Sequence, residues 1–232
     1  MLLMLAEFDR HAGSYEESVD DPIRTRFQGS QSDFFHRRKR DLIREYFGQD
    51  RNSTRAMRYL DLGCGKGDLA SLLVGDFGAV SGCDPSAEML ASATRVETRV
   101  QGDPGVIPFD DGSFDFVTAV CVYHHVPVAA RLNLTREVRR VLSPGGRFCI
   151  IEHNPFNPVT RLIVSRTPID SAAVLLRPSE TCSLMKEAGF TVERPRFFLY
   201  VPERLYSAIG CVERVLARVP AGGQFAVFGT AP

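Results

Sequence analysis

The residues best suited to chemistry lie in a glycine-rich loop that follows a short apolar segment. Tyr59–Leu62 runs into glycines at positions 63, 65 and 67, and Asp61 lies near the end of the segment. Glycines at this spacing let the backbone approach a ligand where any side chain would intrude. In a doubly wound sheet this first crossover borders the ligand crevice, where Asp61 opposes a pyrophosphate group but suits a cationic amine. The loop therefore predicts a ligand that is positively charged near Asp61.

Two further aspartates follow the next two strand-like segments. Asp84 lies 21 residues after the first glycine of the loop, where a carboxylate can accept hydrogen bonds from both ribose hydroxyls. Asp103 could accept a hydrogen bond from an exocyclic amine such as that of adenine. The alternative for each acid is a helix cap or a surface charge, and Asp103 could simply begin a turn before Pro104. An amine, a ribose and an adenine in one crevice describe S-adenosylmethionine.

Several ordered motifs resemble a known enzyme family. The chain contains, in this order, DLGCGKGD, GCDPS, GDPGVIPFDDGSFDFV and VLSPGGRF, which look like motifs of the class I S-adenosylmethionine-dependent methyltransferases. The resemblance covers most of residues 58–229 and implies S-adenosylmethionine as the cofactor. It assigns Asp61 and the glycine loop to the methionine moiety, Asp84 to the ribose and Asp103 to the adenine. The predicted cofactor-binding residues are Asp61, Gly63, Cys64, Gly65, Gly67, Asp84, Pro85, Asp103 and Cys121.

Two adjacent histidines follow the fourth strand-like segment, where the methyl group of such a cofactor should lie. His124 or His125 could be a general base, because the ordinary pKa of histidine is near neutrality. Methyl transfer is an in-line displacement that can proceed largely by positioning, so the two side chains could equally shape the pocket wall. Adjacent residues point in different directions on a strand or helix, so we expect no paired metal site here.

The acceptor-binding residues are predicted from their positions after strands and in a long insertion. The predicted set is Tyr15, Tyr123, His153 and Arg161. Arg161 and Arg166 could clamp a carboxylate or phosphate, although exposed loop arginines more often bind nothing specific. The stretch HNPFNPVTRLIVSRTPIDSAAVLL, together with FDRHAGSYEE and DFFHRRKRDLI near the amino terminus, looks like a bacterial branch of these enzymes that serves small-molecule or saccharide pathways. That resemblance predicts a small-molecule acceptor, such as a natural product or saccharide precursor.

Alternating strand-like and helix-like segments predict an α/β fold, a Rossmann-like doubly wound sheet. We expect residues 1–57 to form a helical cover, residues 58–232 the core, and residues of about 154–178 a lid-like insertion, all within one domain. A mostly parallel sheet follows from the alternation, and the resemblance adds an antiparallel last strand. The seven predicted strands are Arg58–Leu62, Ala79–Cys83, Val96–Gln101, Phe114–Val122, Phe148–Ile151, Phe197–Tyr200 and Phe225–Phe228.

The amino-terminal segment is predicted to hold one amphipathic helix. Its apolar residues recur at helical spacing and end at Gly48. The strongest charge run of the chain, His36–Arg40, lies on this helix and is interpreted as its solvated face. Contact with a phosphate-bearing acceptor is the alternative.

Overall composition excludes several classes of protein. The 232 residues carry 28 basic and 28 acidic side chains, which argues against a protein held to nucleic acid or an anionic membrane by bulk charge. The six cysteines form no C-x-x-C pair and are predicted to be reduced thiols. We expect no metal, a cytoplasmic location, no nucleic-acid or membrane partner, and leave a homodimer open.

Two other functions stay open at this point. A non-catalytic S-adenosylmethionine-binding subunit would carry the same cofactor motifs without an acceptor site. A nicotinamide-dependent oxidoreductase is disfavoured by Asp61 and by the glycine spacing, and dinucleotide binding would discriminate between the two cofactors.

Overall fold

The computed structural model describes residues 22–28, 33–48, 51–103 and 105–232. Its helices are α1 (Pro22–Gln28), α2 (Phe34–Phe47), α3 (Arg51–Thr54), α4 (Asp68–Leu73), α5 (Ala87–Leu90), α6 (Val128–Val141), α7 (Pro158–Arg166), α8 (Pro178–Glu187), α9 (Glu203–Ile209) and α10 (Val212–Leu216). Its strands are β1 (Arg58–Leu62), β2 (Ala79–Asp84), β3 (Glu97–Val100), β4 (Phe114–Val120), β5 (Leu142–His153), β6 (Thr191–Val192), β7 (Arg196–Phe198) and β8 (Gln224–Thr230).

These strands form one mixed sheet. The spatial order is β3-β2-β1-β4-β5-β8-β6, and β7 also pairs with β8. The pairs among β1 to β5 are parallel, whereas β8 runs antiparallel to β5. The chain leaves β1 toward β2 on one side and returns to β4 on the other, so the carboxyl edge of β1 is the switch point of the sheet. The expected Rossmann-like, mostly parallel α/β fold is confirmed.

The sheet has eight strands in the described residues because the short strand β6 adds to the seven that were predicted, and the predicted strand Phe197–Tyr200 is observed as β7. Pro195 lies between these two short strands, and proline cannot donate a hydrogen bond to a strand ladder. Strand β5 is longer than predicted, because Ser143–Gly146 continues it instead of forming a separate loop. The register shifts where Leu142 pairs with Phe114, which marks a bulge.

Side chains along each strand alternate between the two faces of the sheet and fill two apolar layers, one on each face. Tyr59 and Leu60 are adjacent in β1 but belong to opposite clusters, as the period of a strand requires. One layer packs against α6 and α8, and the other packs against α2 and α4. The amino-terminal helix α2 is thus a layer of the fold: the Tyr46 ring stacks on Phe228 with centroids 3.8 Å apart.

The amino-terminal segment differs from its prediction in two respects. Helix α2 confirms the predicted helix and ends at Gly48, but α1 and α3 are also helical. The charge run is not simply a solvated face, because Arg38 and Lys39 are only 7% and 6% exposed. The guanidinium of Arg38 lies 4.1 Å from the Tyr206 ring centroid and 2.9 Å from Glu213.

The Arg38–Glu213 ion pair fastens α2 to the carboxyl-terminal part of the chain. Its side chains are 8% and 4% exposed. The second carboxylate oxygen of Glu213 accepts hydrogen bonds from the backbone N–H groups of Tyr200 and Val201, at 2.8 and 3.1 Å. A carboxylate so buried depends on both kinds of partner, because desolvation of an unpaired charge is costly.

We expect Arg38→Met to lower the free energy of unfolding by about 3–5 kcal/mol, because it leaves the Glu213 carboxylate buried without its cation. Arg214→Met is the matched control. Arg214 pairs with Glu45 at 3.2 Å through side chains that are 74% and 42% exposed, so its loss should cost less than about 1 kcal/mol. Urea unfolding followed by circular dichroism measures both variants, and equal losses would contradict this account.

The insertion after β5 is ordered by caps and backbone contacts. The Asn157 side chain accepts a hydrogen bond from the N–H of Thr160 at the start of α7, and Pro158 occupies the first helical turn. Asn154 donates to the carbonyl of Gly222 at 2.7 Å, which ties the insertion to the segment before β8. Within the described residues, every helix is too short or too polar to span a lipid bilayer.

Candidate active site

The glycine loop is fixed by hydrogen bonds to β2. The N–H groups of Gly63 and Cys64 both donate to the carbonyl of Cys83, at 2.8 and 3.1 Å. One oxygen of Asp84 accepts from the N–H of Gly65 at 2.9 Å, and the other accepts from the N–H of Ser86 at 2.9 Å. Each carboxylate oxygen has two lone pairs, so Asp84 keeps acceptor capacity for a ligand beside the loop.

All three glycines of the loop adopt a left-handed backbone, with φ +75° at Gly67. Gly63 has φ +70°, and a Cβ there would lie 2.5 Å from a methyl group of Val122. Gly65 has φ +53°, and a Cβ there would meet nothing within 4 Å. The backbone of Gly65 therefore borders open space, as the contact surface for a ligand must.

Asp61 is buried beside the loop, with 3% of its surface exposed. It accepts a hydrogen bond from the Thr118 hydroxyl at 2.8 Å, and the Tyr59 hydroxyl supports Thr118 at 2.7 Å. Burial raises the pKa of Asp61 to about 7, although Thr118 and the charge of Lys39 act in the opposite direction. A cation bound next to Asp61 would favour its ionised form.

A cavity of about 510 Å³ opens over the carboxyl edge of the sheet. It brings together most of the predicted site, namely Asp61, Gly63, Cys64, Gly65, Asp84, Pro85, Cys121, His124, His125 and His153. Four other predicted residues do not line the cavity, namely Gly67, Asp103, Tyr123 and Arg161. Tyr15 lies outside the described residues.

Asp103 and Gly67 stabilise the local structure and do not line the cavity. Asp103 is exposed, and its carboxylate accepts from the N–H of Gly105 at 2.8 Å, which is the turn alternative. Gln101, which is 5% exposed, lines the cavity at the end of β3 in its place. Gly67 precedes α4, where a Cβ would lie 2.9 Å from the Cβ of Ala93. Gly67 is thus needed for close packing between two segments of the core.

Tyr123 and Arg161 were also predicted to contact the acceptor, and the structure places them elsewhere. The Tyr123 ring is fully buried in the core, and its hydroxyl bonds to the Thr135 hydroxyl at 2.9 Å. Arg161 is exposed on α7. The period of α7 turns Ile163 toward the cavity and Arg161 to its outer side.

The two histidines converge, which corrects the expectation that they point apart. The chain turns just before them at Cys121, whose φ is +57°, so the alternation of β4 no longer applies. The Nε2 atoms of His124 and His125 each lie 3.4 Å from Asp170 Oδ1. We call His124, His125 and Asp170 the polar cluster. The insertion supplies Asp170 from its 3₁₀ turn, Pro168–Asp170.

Glu152 orients this cluster through its contact with His124. Its carboxylate is fully buried, and one oxygen lies 2.5 Å from His124 Nδ1 while the other accepts from the N–H of Tyr123 at 2.8 Å. Burial acts to lower the pKa of His124, but Glu152 and Asp170 together outweigh it and raise that pKa well above its ordinary value. Burial and the neighbouring His124 lower the pKa of His125 to about 4.

Lys39, Gln101 and Asp170 are among the cavity-lining residues that were not predicted as site residues, although Lys39 belongs to the charge run for which acceptor contact was the alternative. Lys39 had a usable signal, because it lies four residues after Phe35 and three before Leu42, on the apolar face of α2. Gln101 and Asp103 both follow β3, and spacing does not distinguish them. Asp170 lies in an irregular segment without periodicity, so no local pattern indicates its position.

Several apolar side chains line the cavity. They come from α1, α2, the insertion and the segments after β4 and β7, and include Phe27, Phe35, Val126, Ile163, Ile169 and Leu199. Such a wall suits a ligand with a large apolar surface, oriented by a few polar groups.

The comparisons with known proteins agree with this geometry. The family described as "Methyltransferase domain" matches residues 60–150, the segment from β1 into β5. The 2-phytyl-1,4-beta-naphthoquinone methyltransferase of Arabidopsis thaliana is 40% identical over 129 residues, covering 50% of this chain and 49% of that protein. The chain thus spans about half the length of that relative. An uncharacterized methyltransferase of Synechocystis is 32% identical over 149 residues, covering 61% of this chain and 70% of that protein.

A solved structure extends the match to the whole fold. The structure of an S-adenosylmethionine-dependent methyltransferase from Thermotoga maritima covers 98% of this chain and 99% of its own, with a TM-score of 0.67 and 18% identity. A sheet with a glycine loop and two buried carboxylates at its switch point defines an α/β protein that binds a nucleoside cofactor. The chain belongs to the class I S-adenosylmethionine-dependent methyltransferases, whose cofactor is S-adenosylmethionine.

Proposed function

We propose that this protein transfers the methyl group of S-adenosylmethionine to a small, largely apolar acceptor. One observation carries the proposal: a single cavity joins the glycine loop, Asp61 and Asp84 to an apolar wall from the cover and the insertion. Cofactor and acceptor can therefore meet without crossing bulk water, which suits a displacement that depends on positioning.

The residues of the carboxyl edge fit the parts of the cofactor. Asp61 binds the ammonium group, the loop backbone at Gly65 borders the methionine moiety, and Asp84 accepts from the ribose hydroxyls. Gln101 takes the adenine contact that was predicted for Asp103, because its buried amide can both donate and accept. When bound, S-adenosylmethionine supplies a methyl group activated on a sulfonium.

The acceptor side supports an apolar ring system with a hydroxyl or carbonyl oxygen. The Arabidopsis relative is named for a naphthoquinone, and the apolar wall favours such a compound over a saccharide, which needs many polar partners. Lys39 and the polar cluster border the same space. We propose that Lys39 favours an acceptor with negative charge, and that the polar cluster, through His124 and His125, assists removal of the acceptor proton. His153 also lines this space and remains a predicted acceptor contact.

The test is incubation of the purified protein with methyl-labelled S-adenosylmethionine and a panel of reduced naphthoquinones and saccharide precursors. We expect label in a naphthoquinone product, and at least a tenfold lower rate for Asp84→Asn, because one carboxylate partner of the ribose is lost. Calorimetric titration with S-adenosylmethionine and separately with NADH accompanies the assay. Cofactor binding without transfer to any acceptor would favour a non-catalytic binding subunit, and preferential NADH binding would favour an oxidoreductase.

Asp61 predicts a pH dependence of cofactor binding. Its pKa of about 7 in the free protein means that lowering the pH protonates the group that pairs with the ammonium. Affinity for S-adenosylmethionine should therefore fall by up to about tenfold per pH unit below pH 7 and level off above it. Calorimetry across this range measures the effect. Asp61→Asn should bind weakly with no such slope, and a wild-type affinity independent of pH would refute the role of Asp61.

Three expectations remain predictions of the sequence: a cytoplasmic location, the absence of nucleic-acid partners, and the homodimer as an open alternative. The division between residues 1–57 and 58–232 is also a prediction, although α2 packs directly on the sheet.

A further inference from the structure

We propose that His124, His125 and Asp170 form a binding site for a divalent transition metal of the zinc type, with Glu152 as the group that orients His124. The proposal deepens the proposed function, because the site lies in the cavity that would hold the acceptor. The metal site itself does not depend on the identity of that acceptor.

The spacing of the three ligand atoms suits metal coordination better than hydrogen bonding. Each Nε2 atom lies 3.4 Å from Asp170 Oδ1, which is longer than the usual range of about 2.7–3.2 Å for an N–H···O bond. A tetrahedral ion with bonds of about 2.0–2.1 Å to nitrogen and oxygen places neighbouring ligand atoms about 3.4 Å apart. All three ligand atoms lie within 4.8 Å of one another.

A second observation points independently to a ligand at this place. The side chain of His124 is fully buried, and its Nε2 atom has no hydrogen-bond partner among the residues that the structure describes. His124 and Asp170 both line the cavity, and Nε2 is the ring nitrogen directed to Asp170, whereas Nδ1 is directed to Glu152. A buried polar atom without a partner is costly, and coordination to a metal that displaces any proton on Nε2 would give this atom a partner.

Glu152 supplies the arrangement that metal-binding histidines usually have. Its carboxylate contacts Nδ1 of His124 at 2.5 Å. This contact directs the proton of a neutral imidazole to Nδ1 and leaves Nε2 as the donor atom. The backbone N–H of Tyr123 holds the other oxygen of the same carboxylate at 2.8 Å, so the orientation of His124 is fixed before any ion binds.

The charges at the site also balance around a divalent ion. The side chains of Glu152 and Asp170 are 0% and 10% exposed, so two carboxylates lie in a region of low dielectric constant. A divalent cation that displaces the proton of His124 leaves two neutral imidazoles, and the net charge with these carboxylates is then zero. Buried carboxylates need such compensation, because their desolvation is costly.

Two histidines and one carboxylate leave one tetrahedral position open, as catalytic zinc sites do. Since all three ligand residues line the cavity, the open position is directed to the space for the acceptor. A hydroxyl oxygen of the acceptor can occupy it, and coordination lowers the pKa of such a hydroxyl. The two histidines then assist proton removal as metal ligands and not as general bases. The polar cluster would thus favour acceptors that offer an oxygen donor.

The experiment titrates chelator-treated protein with Co²⁺ alone, without cofactor or acceptor, and follows its visible absorption. We expect one equivalent to bind with the intense bands of tetrahedral coordination. Asp170→Asn and His125→Gln should each weaken binding by about 10–100-fold or more. His36→Gln is the matched control, because His36 lines the same cavity outside the cluster and should bind Co²⁺ like the wild type.

Circular dichroism establishes whether each variant is folded. If His125→Gln does not fold, Asp170→Asn alone serves as the test of the metal site. The proposal is overturned if the wild type binds no Co²⁺, or if folded Asp170→Asn binds it as tightly as the wild type does. Sulfur-to-cobalt charge-transfer bands would also overturn it, because they would assign the ion to a cysteine. The measurement involves no methyl transfer, so its failure leaves the proposed function to be tested separately.

Discussion

The parallel pairing of β1 with β2 on one side and β4 on the other is the constraint on which the site depends. Its register places Leu62 beside both Cys83 and Ala119, so three strands end at the same level. The same register sets Thr118 beside Asp61, which is why the hydroxyl can support the buried carboxylate. The crevice, its glycine loop and its two acids therefore follow from one reversal in strand order.

The cover and the insertion contribute cavity-lining residues that the sheet does not supply. Helix α2 packs its aromatic residues on one face of the sheet and brings Lys39 to the cavity. The insertion contributes Asp170 to two histidines that follow β4. Both additions are anchored by buried polar contacts, through Arg38 in one case and Asn154 in the other. Rigid anchoring of this kind positions functional groups that lie outside the regular elements.

The parts of the site that lie next to strand ends could be predicted from the sequence. Asp61, the glycine loop and Asp84 were found because each lies a fixed distance from a recognisable apolar strand. The spacing after β3 predicts neither Asp103 nor Gln101 over the other, because it gives no information on which side chain turns inward. Tyr123 was assigned to the acceptor because its position at the carboxyl edge does not reveal that its ring turns into the core.

The remaining differences arise from contacts between distant parts of the chain. Arg38 is buried because Glu213 lies opposite it, 175 residues further along, and no local pattern in α2 indicates that partner. The convergence of His124 and His125 depends on the left-handed residue Cys121 and on Asp170 in the insertion. Such features are set by tertiary packing, which overrides the alternation expected of a strand.

The central claim is that the crevice at β1, β2 and β4 holds S-adenosylmethionine, and a crystal structure of the complex with S-adenosylhomocysteine tests it most directly. The account predicts ribose hydroxyls on the carboxylate of Asp84, the amino group beside Asp61 and the sulfur facing His124 and His125. A nucleoside bound away from the glycine loop, or a ribose without contact to Asp84, would contradict it.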